Sequence, residues 1–319
     1  ESPPGSPEQA VRPNAVRVGG QAIMEGVLMR SPNFWGMAVR TPSGDMDLRA
    51  ERFRSVTRRS KLFRLPIIRG ALSLGETLWL GMKALTISTN IALGEEQELS
   101  KKEIAGTLIF ALVLGFALFL AAPVLGTKGL GSLLGSSIEN PVIFNLVEGF
   151  IRIAIFIAYL LVITLLSKDI KRFFAYHGAE HKAIKVYERD EELIPANARK
   201  LDTSHVRCGT SFVLYVLVLS ILVFSLLGVE GWVYMLASRV IVIPLVAGIA
   251  FEFIMWSARH QDSALVRALV WPGLQMQKLT TREPSDDMVE IAMASLKKVL
   301  SMEKEAEIEP NEATNKLVI

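Results

Sequence analysis

One cysteine stands in a chain of 319 residues. With no second thiol an intramolecular disulfide cannot form, which excludes a disulfide-framework domain and fits a reducing compartment. Histidine is nearly as scarce, with four residues, and the net charge is only +3. No specific nucleic-acid partner is expected from that balance. Nor does any segment recur at a period that would mark a solenoid.

The most telling absence is of charge in four places. Residues 104–125, 142–166, 211–228 and 232–256 together make 90 residues, and their only charges are Glu148, Arg152, Arg239 and Glu252. Each stretch is long enough for a helix to cross a hydrocarbon core about 30 Å thick, the third being the shortest. A helix is the expected solution in lipid because it satisfies its own backbone hydrogen bonds. The expectation is a mainly α membrane protein with about four transmembrane helices, arranged as hairpins over 104–166 and 211–256. Fifteen Lys and Arg precede the first stretch, one lies in 126–141, nine lie in 167–210, none in 229–231 and eight follow 256. Positive residues mark the inner side. Both termini and the 167–210 loop are therefore expected to be cytoplasmic, or stromal in a plastid.

The charged remainder divides further. Residues 1–15 and 301–319 read as disordered ends. Residues 16–60 read as a small β-rich cytoplasmic unit, with hairpin chemistry in Thr41-Pro42-Ser43-Gly44-Asp45. Ahead of it, the Gly-rich run Gly19-Gly20-Gln21-Ala22-Ile23-Met24-Glu25-Gly26 suits a tight backbone crossing. Within 61–100 an interfacial helix is expected. Arg69, Glu76, Lys83 and Asn90 recur every seven residues along it, a stripe that would either line a polar cavity or pair charge with charge. Within 257–300 Met288, Ile291, Ala292, Leu296 and Val299 recur at helical spacing and predict an amphipathic docking helix.

The chemistry concentrates in the 167–210 loop, which holds three of the four histidines and the cysteine. His177-Gly178-Ala179-Glu180-His181 is the H-x-x-E-H pattern of inverted zincins. On a helix His177 and His181 share a face and can bind one divalent ion, zinc by preference, while Glu180 can activate water as general base. Gly178 argues against a helix by about 1 kcal/mol. His205 and Cys208 follow in the same loop. Joined to His177 and His181 they would close a four-ligand structural site. Alternatively Glu252, an ionisable residue inside an apolar stretch and at the same membrane face, completes a three-ligand catalytic site. Cys208 would then be a free thiol at a helix N-terminus. Glu148 and Arg152, four apart, are expected to pair, and Arg239, toward the outer side, either snorkels or joins a structural pair as they do.

The run Gly19 to Arg30, the segments His177 to His181 and His205 to Phe212, and Leu279-Thr280-Thr281-Arg282-Glu283-Pro284 occur here in one order. Together they resemble the YqhQ-like family over residues 16–300. These are multi-pass proteins of bacteria and plastids, of unknown function and described as predicted metal-dependent enzymes. The resemblance implies a membrane location and a metal site, and draws Gly19, Gly20, Gln21 and Glu25 into the functional surface. Two functions are expected to compete. One is a metal-dependent hydrolase, acting on a membrane protein or peptide at the cytoplasmic face. The other is a non-catalytic assembly, insertion or scaffold protein with a structural metal, its basic face meeting anionic lipid or a protein partner.

Overall fold

The computed structural model describes residues 16–94, 100–134, 140–226 and 232–306. Four antiparallel strands form a meander in the order β1 (Gly19–Ile23), β2 (Gly26–Arg30), β3 (Phe34–Arg40) and β4 (Met46–Arg52). The expected turn is present, with Arg40 opposite Met46 and Gly44 at a φ of +91°. Alternation of side chains gives the sheet two apolar faces. Val27, Met29 and Ala38 pack on one side and Leu28, Met37 and Val39 on the other. That is why β2 carries an uninterrupted apolar run rather than alternating with polar residues.

Helix α1 (Ile68–Leu93) covers the second face through Leu80 and Ala84. Helices α5 (Lys168–Glu188) and α10 (Asp286–Glu305) cover the first. The expected docking residues of α10 are all buried there. The α1 stripe pairs charge with charge. Arg69 meets Glu252, Glu76 meets Arg30 at 2.9 Å and Lys83 meets Glu51 at 2.8 Å.

The apolar part consists of α2 (Lys101–Phe116), α3 (Ala122–Leu134), α4 (Pro141–Leu166), α7 (Gly209–Ser225) and α8 (Trp232–Ser257). Ser100 and Glu103 form a capping box that starts α2, and Asn140 caps α4 just before Pro141. A π-turn at Ala117–Ala121 joins α2 to α3. Helix therefore continues over 126–134, which was expected to be connection, because nothing there breaks the ladder. Among the described residues three helical stretches are long and apolar enough to cross a membrane, Lys102–Leu133, Pro141–Leu166 and Ala237–Ser257. The fourth expected span, α7, is equally apolar but has 17 residues, a length of about 26 Å.

Inside this bundle Glu148 pairs with Arg152 as expected, and also with Arg239 at 2.8 Å. Arg239 donates to Asn145 as well, at 3.1 Å, and is 2% exposed. It does not snorkel. The carboxylate on α4 lies within reach, and a buried counter-charge removes the reason for a side chain to stretch toward water.

Ser167 alone separates α4 from α5, and its hydroxyl accepts from the Ile170 N–H at 3.2 Å. Helix α6 (Pro195–Ala198) and α9 (Ala264–Thr280) complete the set. Residues 301–305, expected to be disordered, instead extend α10, because the buried Glu303 accepts from the Asn33 backbone and side-chain amides, each at 2.8 Å. Residues 1–15 and 307–319 lie outside the described residues.

Candidate metal centre

His177 and His181 stand one turn apart on α5, with ring centroids 4.4 Å apart. The chain then runs through α6 and returns to place Cys208 at the N-cap of α7. Its Sγ lies 3.3 Å from His177 Nε2. One donor atom from each of His177, His181 and Cys208 falls within 4.8 Å of the other two.

Both imidazoles are oriented from behind. His177 Nδ1 lies 2.8 Å from the Thr280 carbonyl and His181 Nδ1 lies 2.5 Å from the Thr203 carbonyl. A carbonyl only accepts, so each Nδ1 carries a hydrogen and each Nε2 is the nitrogen left to coordinate an ion when it is deprotonated. Glu180 sits beside both of those nitrogens. Its Oε2 is 3.5 Å from His181 Nε2 and 4.0 Å from His177 Nε2, and the residue is 4% exposed.

Burial alone would raise the Cys208 thiol, but the His177 and His181 imidazoles override it and hold the thiol well below its ordinary value. Burial would likewise lower His177, yet the thiolate charge, its hydrogen bond and Glu180 push it up to about 9. Cys208 and His177 thus hold opposite charges in a buried place. One thiolate and two imidazoles are the donors that zinc prefers, and three protein ligands leave a coordination position open. The residues fit a metal ion.

Two glycines make the arrangement possible. A Cβ on Gly20 would lie 2.7 Å from Glu180 Cγ and 2.8 Å from the Leu28 carbonyl. A Cβ on Gly178 would lie 2.2 Å from the Arg282 carbonyl. Gly178 therefore sits in a helix interior because the 280–282 segment passes directly over it. That segment brings the Thr280 carbonyl to His177.

The other expected ligands are placed elsewhere. His205 lies near, its ring centroid 5.6 Å from that of His181. However, its Nε2 meets Glu188 at 3.3 Å and its Nδ1 accepts from the Arg207 N–H at 3.3 Å. Arg207 also pairs with Glu188, which holds that carboxyl far below its usual range against the opposing effect of burial. The closed set of three histidines and a cysteine is not formed. Glu252 accepts two hydrogen bonds from Arg69 and is not among the clustered donors. Glu25, in the turn between β1 and β2 at a φ of +51°, accepts from Arg172 at 2.5 and 2.6 Å and from the Tyr176 hydroxyl at 3.3 Å. It clamps the hairpin to α5. Gly19, Gly20 and Gln21, in contrast, line a cavity of about 320 Å³ with His177, Glu180, His181 and Cys208. Leu74, Phe173, Phe174 and Phe212 make it largely apolar.

A family model described as a protein of unknown function (DUF1385) matches residues 65–302. The chain belongs to the DUF1385 family. The match includes His177, Glu180, His181, Thr203, Cys208 and Thr280. A relative, "Uncharacterized protein YqhQ" of Bacillus subtilis (strain 168), is 29% identical over 303 residues, covering 89% of this chain and 92% of the relative. No solved structure matches.

Sequence reasoning missed the orienting carbonyls of Thr203 and Thr280. Any residue can supply a carbonyl, so no side-chain pattern announces one. The close approach of β1 to Glu180 was signalled only by Gly20 itself.

Proposed function

We propose that the chain is a metal-dependent membrane hydrolase, with a peptide or membrane protein as substrate. The observation that carries this reading is the convergence of His177 Nε2, His181 Nε2 and Cys208 Sγ beside the Glu180 carboxylate. These three side chains would hold a divalent ion, zinc by preference. A bound ion would supply Lewis-acid polarisation and a more acidic water.

Glu180 is the general base. It takes the proton of the attacking water, whose oxygen bonds to the substrate carbonyl carbon. As the C–N bond breaks, the same carboxyl returns the proton to the departing amine. Thr203 and Thr280 keep the imidazoles in register through their carbonyls. The aromatic walls of the cavity exclude bulk water and strengthen each of these interactions. The same reading assigns four membrane crossings, with α7 the short one, and both termini to the cytoplasmic or stromal side.

The test combines metal analysis with hydrolysis. Zinc is expected at about one equivalent in the wild type and in Glu180→Gln, and at under about a tenth of that in His181→Ala. Glu180→Gln should abolish hydrolysis. Hydrolysis that survives it removes the reading.

A second reading rests on the 3.3 Å contact between Cys208 Sγ and His177 Nε2. A thiolate at the start of α7, paired with an imidazolium, is the arrangement of a cysteine nucleophile. Iodoacetamide inactivation of metal-free protein, with activity unaffected by chelator, would favour it. A scaffold role with a closed structural site has less support, since Glu188 and Arg207 engage His205.

A further inference from the structure

Strand β1 is one of the two outer strands of the sheet, and Gly19 to Ala22 along it line the cavity of the candidate site. The tight turn pairs Ile23 with Gly26. In an antiparallel ladder that closure makes Ile23, Gln21 and Gly19 exchange hydrogen bonds with β2. The intervening residues, Val16 through Met24 at every second position, turn their N–H and C=O groups away from β2. At both ends of this outward row the groups are taken. The Tyr187 hydroxyl donates to the Val16 carbonyl at 3.1 Å, Arg207 donates to the Val18 carbonyl at 3.5 Å, and the Met24 N–H donates to the Ser88 hydroxyl at 3.1 Å. Between them, no hydrogen bond among the described residues takes the outward groups of Gly20 and Ala22. Those two residues line the cavity.

We infer that an extended segment of a polypeptide substrate docks on the β1 edge at Gly20 and Ala22 and so passes the Glu180 carboxylate. The inference deepens the hydrolase reading and rests on it for the role of Glu180. Unpaired edge groups are a template for another strand, which lies about 4.8 Å away. Gly20 is the residue against which Glu180 packs, at the distances a Cβ would violate. A chain added to this edge therefore runs beside the general base and the donor cluster. The cavity, about 320 Å³, admits a short extended stretch rather than a folded domain. Main-chain pairing supplies affinity, and apolar walls from Leu74, Phe174 and Phe212 favour apolar side chains at alternate positions.

The experiment uses the full chain in detergent, carrying Glu180→Gln to prevent turnover, with fluorescein-labelled β-casein as an extended polypeptide probe. Adding Ala22→Pro removes an outward N–H that β2 does not use, a position where an edge strand tolerates proline. Casein affinity should fall about tenfold or more. Amide exchange, which needs no substitution in β1, reads the same contact. Gly20 and Ala22 should exchange fast alone and at least about tenfold more slowly with casein, while Gln21 stays slow in both.

Failure to bind casein, or unchanged exchange at Gly20 and Ala22 in its presence, overturns the inference. So does protection that rises with protein concentration in the absence of casein, which would mark a second copy on the edge. If the wild type holds casein at β1 yet never cleaves it, the hydrolase reading falls and the docking edge stands. If Ala22→Pro folds and cleaves casein with unchanged KM, the docking edge falls and the hydrolase reading stands.

Discussion

Arg69 on α1 and Glu252 on α8 face each other across the boundary between the sheet-covering layer and the apolar bundle, joined by two hydrogen bonds. The pair spans 183 residues of sequence. It commits Glu252 to holding the two layers together. Glu252→Ala should therefore leave zinc content unchanged while costing about 1–3 kcal/mol of stability, as expected for a partly buried, hydrogen-bonded ion pair that loses one partner. Adding Arg69→Ala should return part of that loss, because the stranded guanidinium goes too. Metal analysis and denaturant titration of the two single variants and the double variant check both expectations.

The two neighbouring histidines should separate cleanly. His181→Ala removes an Nε2 from the donor cluster, whereas His205→Gln alters the Glu188 and Arg207 contacts beside that cluster and removes none of its donors. Metal affinity should fall by about a hundredfold or more in the first and by less than about tenfold in the second, where only the surroundings change. Competition with a chromogenic chelator reads both constants. Equal losses would return His205 to the ligand set.

Gly178→Ala should reverse the usual sign of a helix substitution. In an isolated helix alanine would gain about 1 kcal/mol over glycine. Here the new Cβ meets the Arg282 carbonyl, and the overpacking should destabilise by about 1–3 kcal/mol. Displacing residues 280–282 also withdraws the Thr280 carbonyl from His177. Zinc affinity should drop together with stability in a melt followed at several metal concentrations.

Acid should loosen the 189–208 segment before the sheet. Burial opposes ionisation of Asp202, but Lys185 and the Ser204 hydrogen bonds prevail and lower its carboxyl from 3.8 to about 2. A carboxylate depressed in the folded state stabilises fully above its unfolded value and stops doing so as pH falls through its folded value. The contribution should thus vanish between pH 3.8 and about 2. Acid-protease nicking of residues 189–208 should rise across that window, and Asp202→Asn should bring the same nicking at neutral pH, probed with a neutral protease.

Much of the architecture was legible because its signals are local. The β-unit declared itself through turn chemistry, and the histidine pair through a four-residue spacing that any helix converts into a shared face. Which donors come together was not local. Glu252 stood out only because charge is rare in apolar stretches, and the fact that answered it, Arg69, lies on another helix. Likewise His205 looked as good a ligand as Cys208 until Glu188 and Arg207 were seen to engage both of its ring nitrogens. The length of α3 was not legible because the apolar run stops at 125, whereas the helix continues to Leu134.

The Thr280 carbonyl that orients His177 lies 103 residues farther along the chain. During synthesis the histidines and Cys208 therefore emerge before α7, α8 and α9 are complete and the 280–282 segment has come back over Gly178. Until then the His177 ring lacks that hydrogen bond and rotates more freely. On the metal-dependent reading, ribosome-bound intermediates and chains truncated before residue 280 should hold metal weakly or not at all, so that the site is completed only near the end of synthesis.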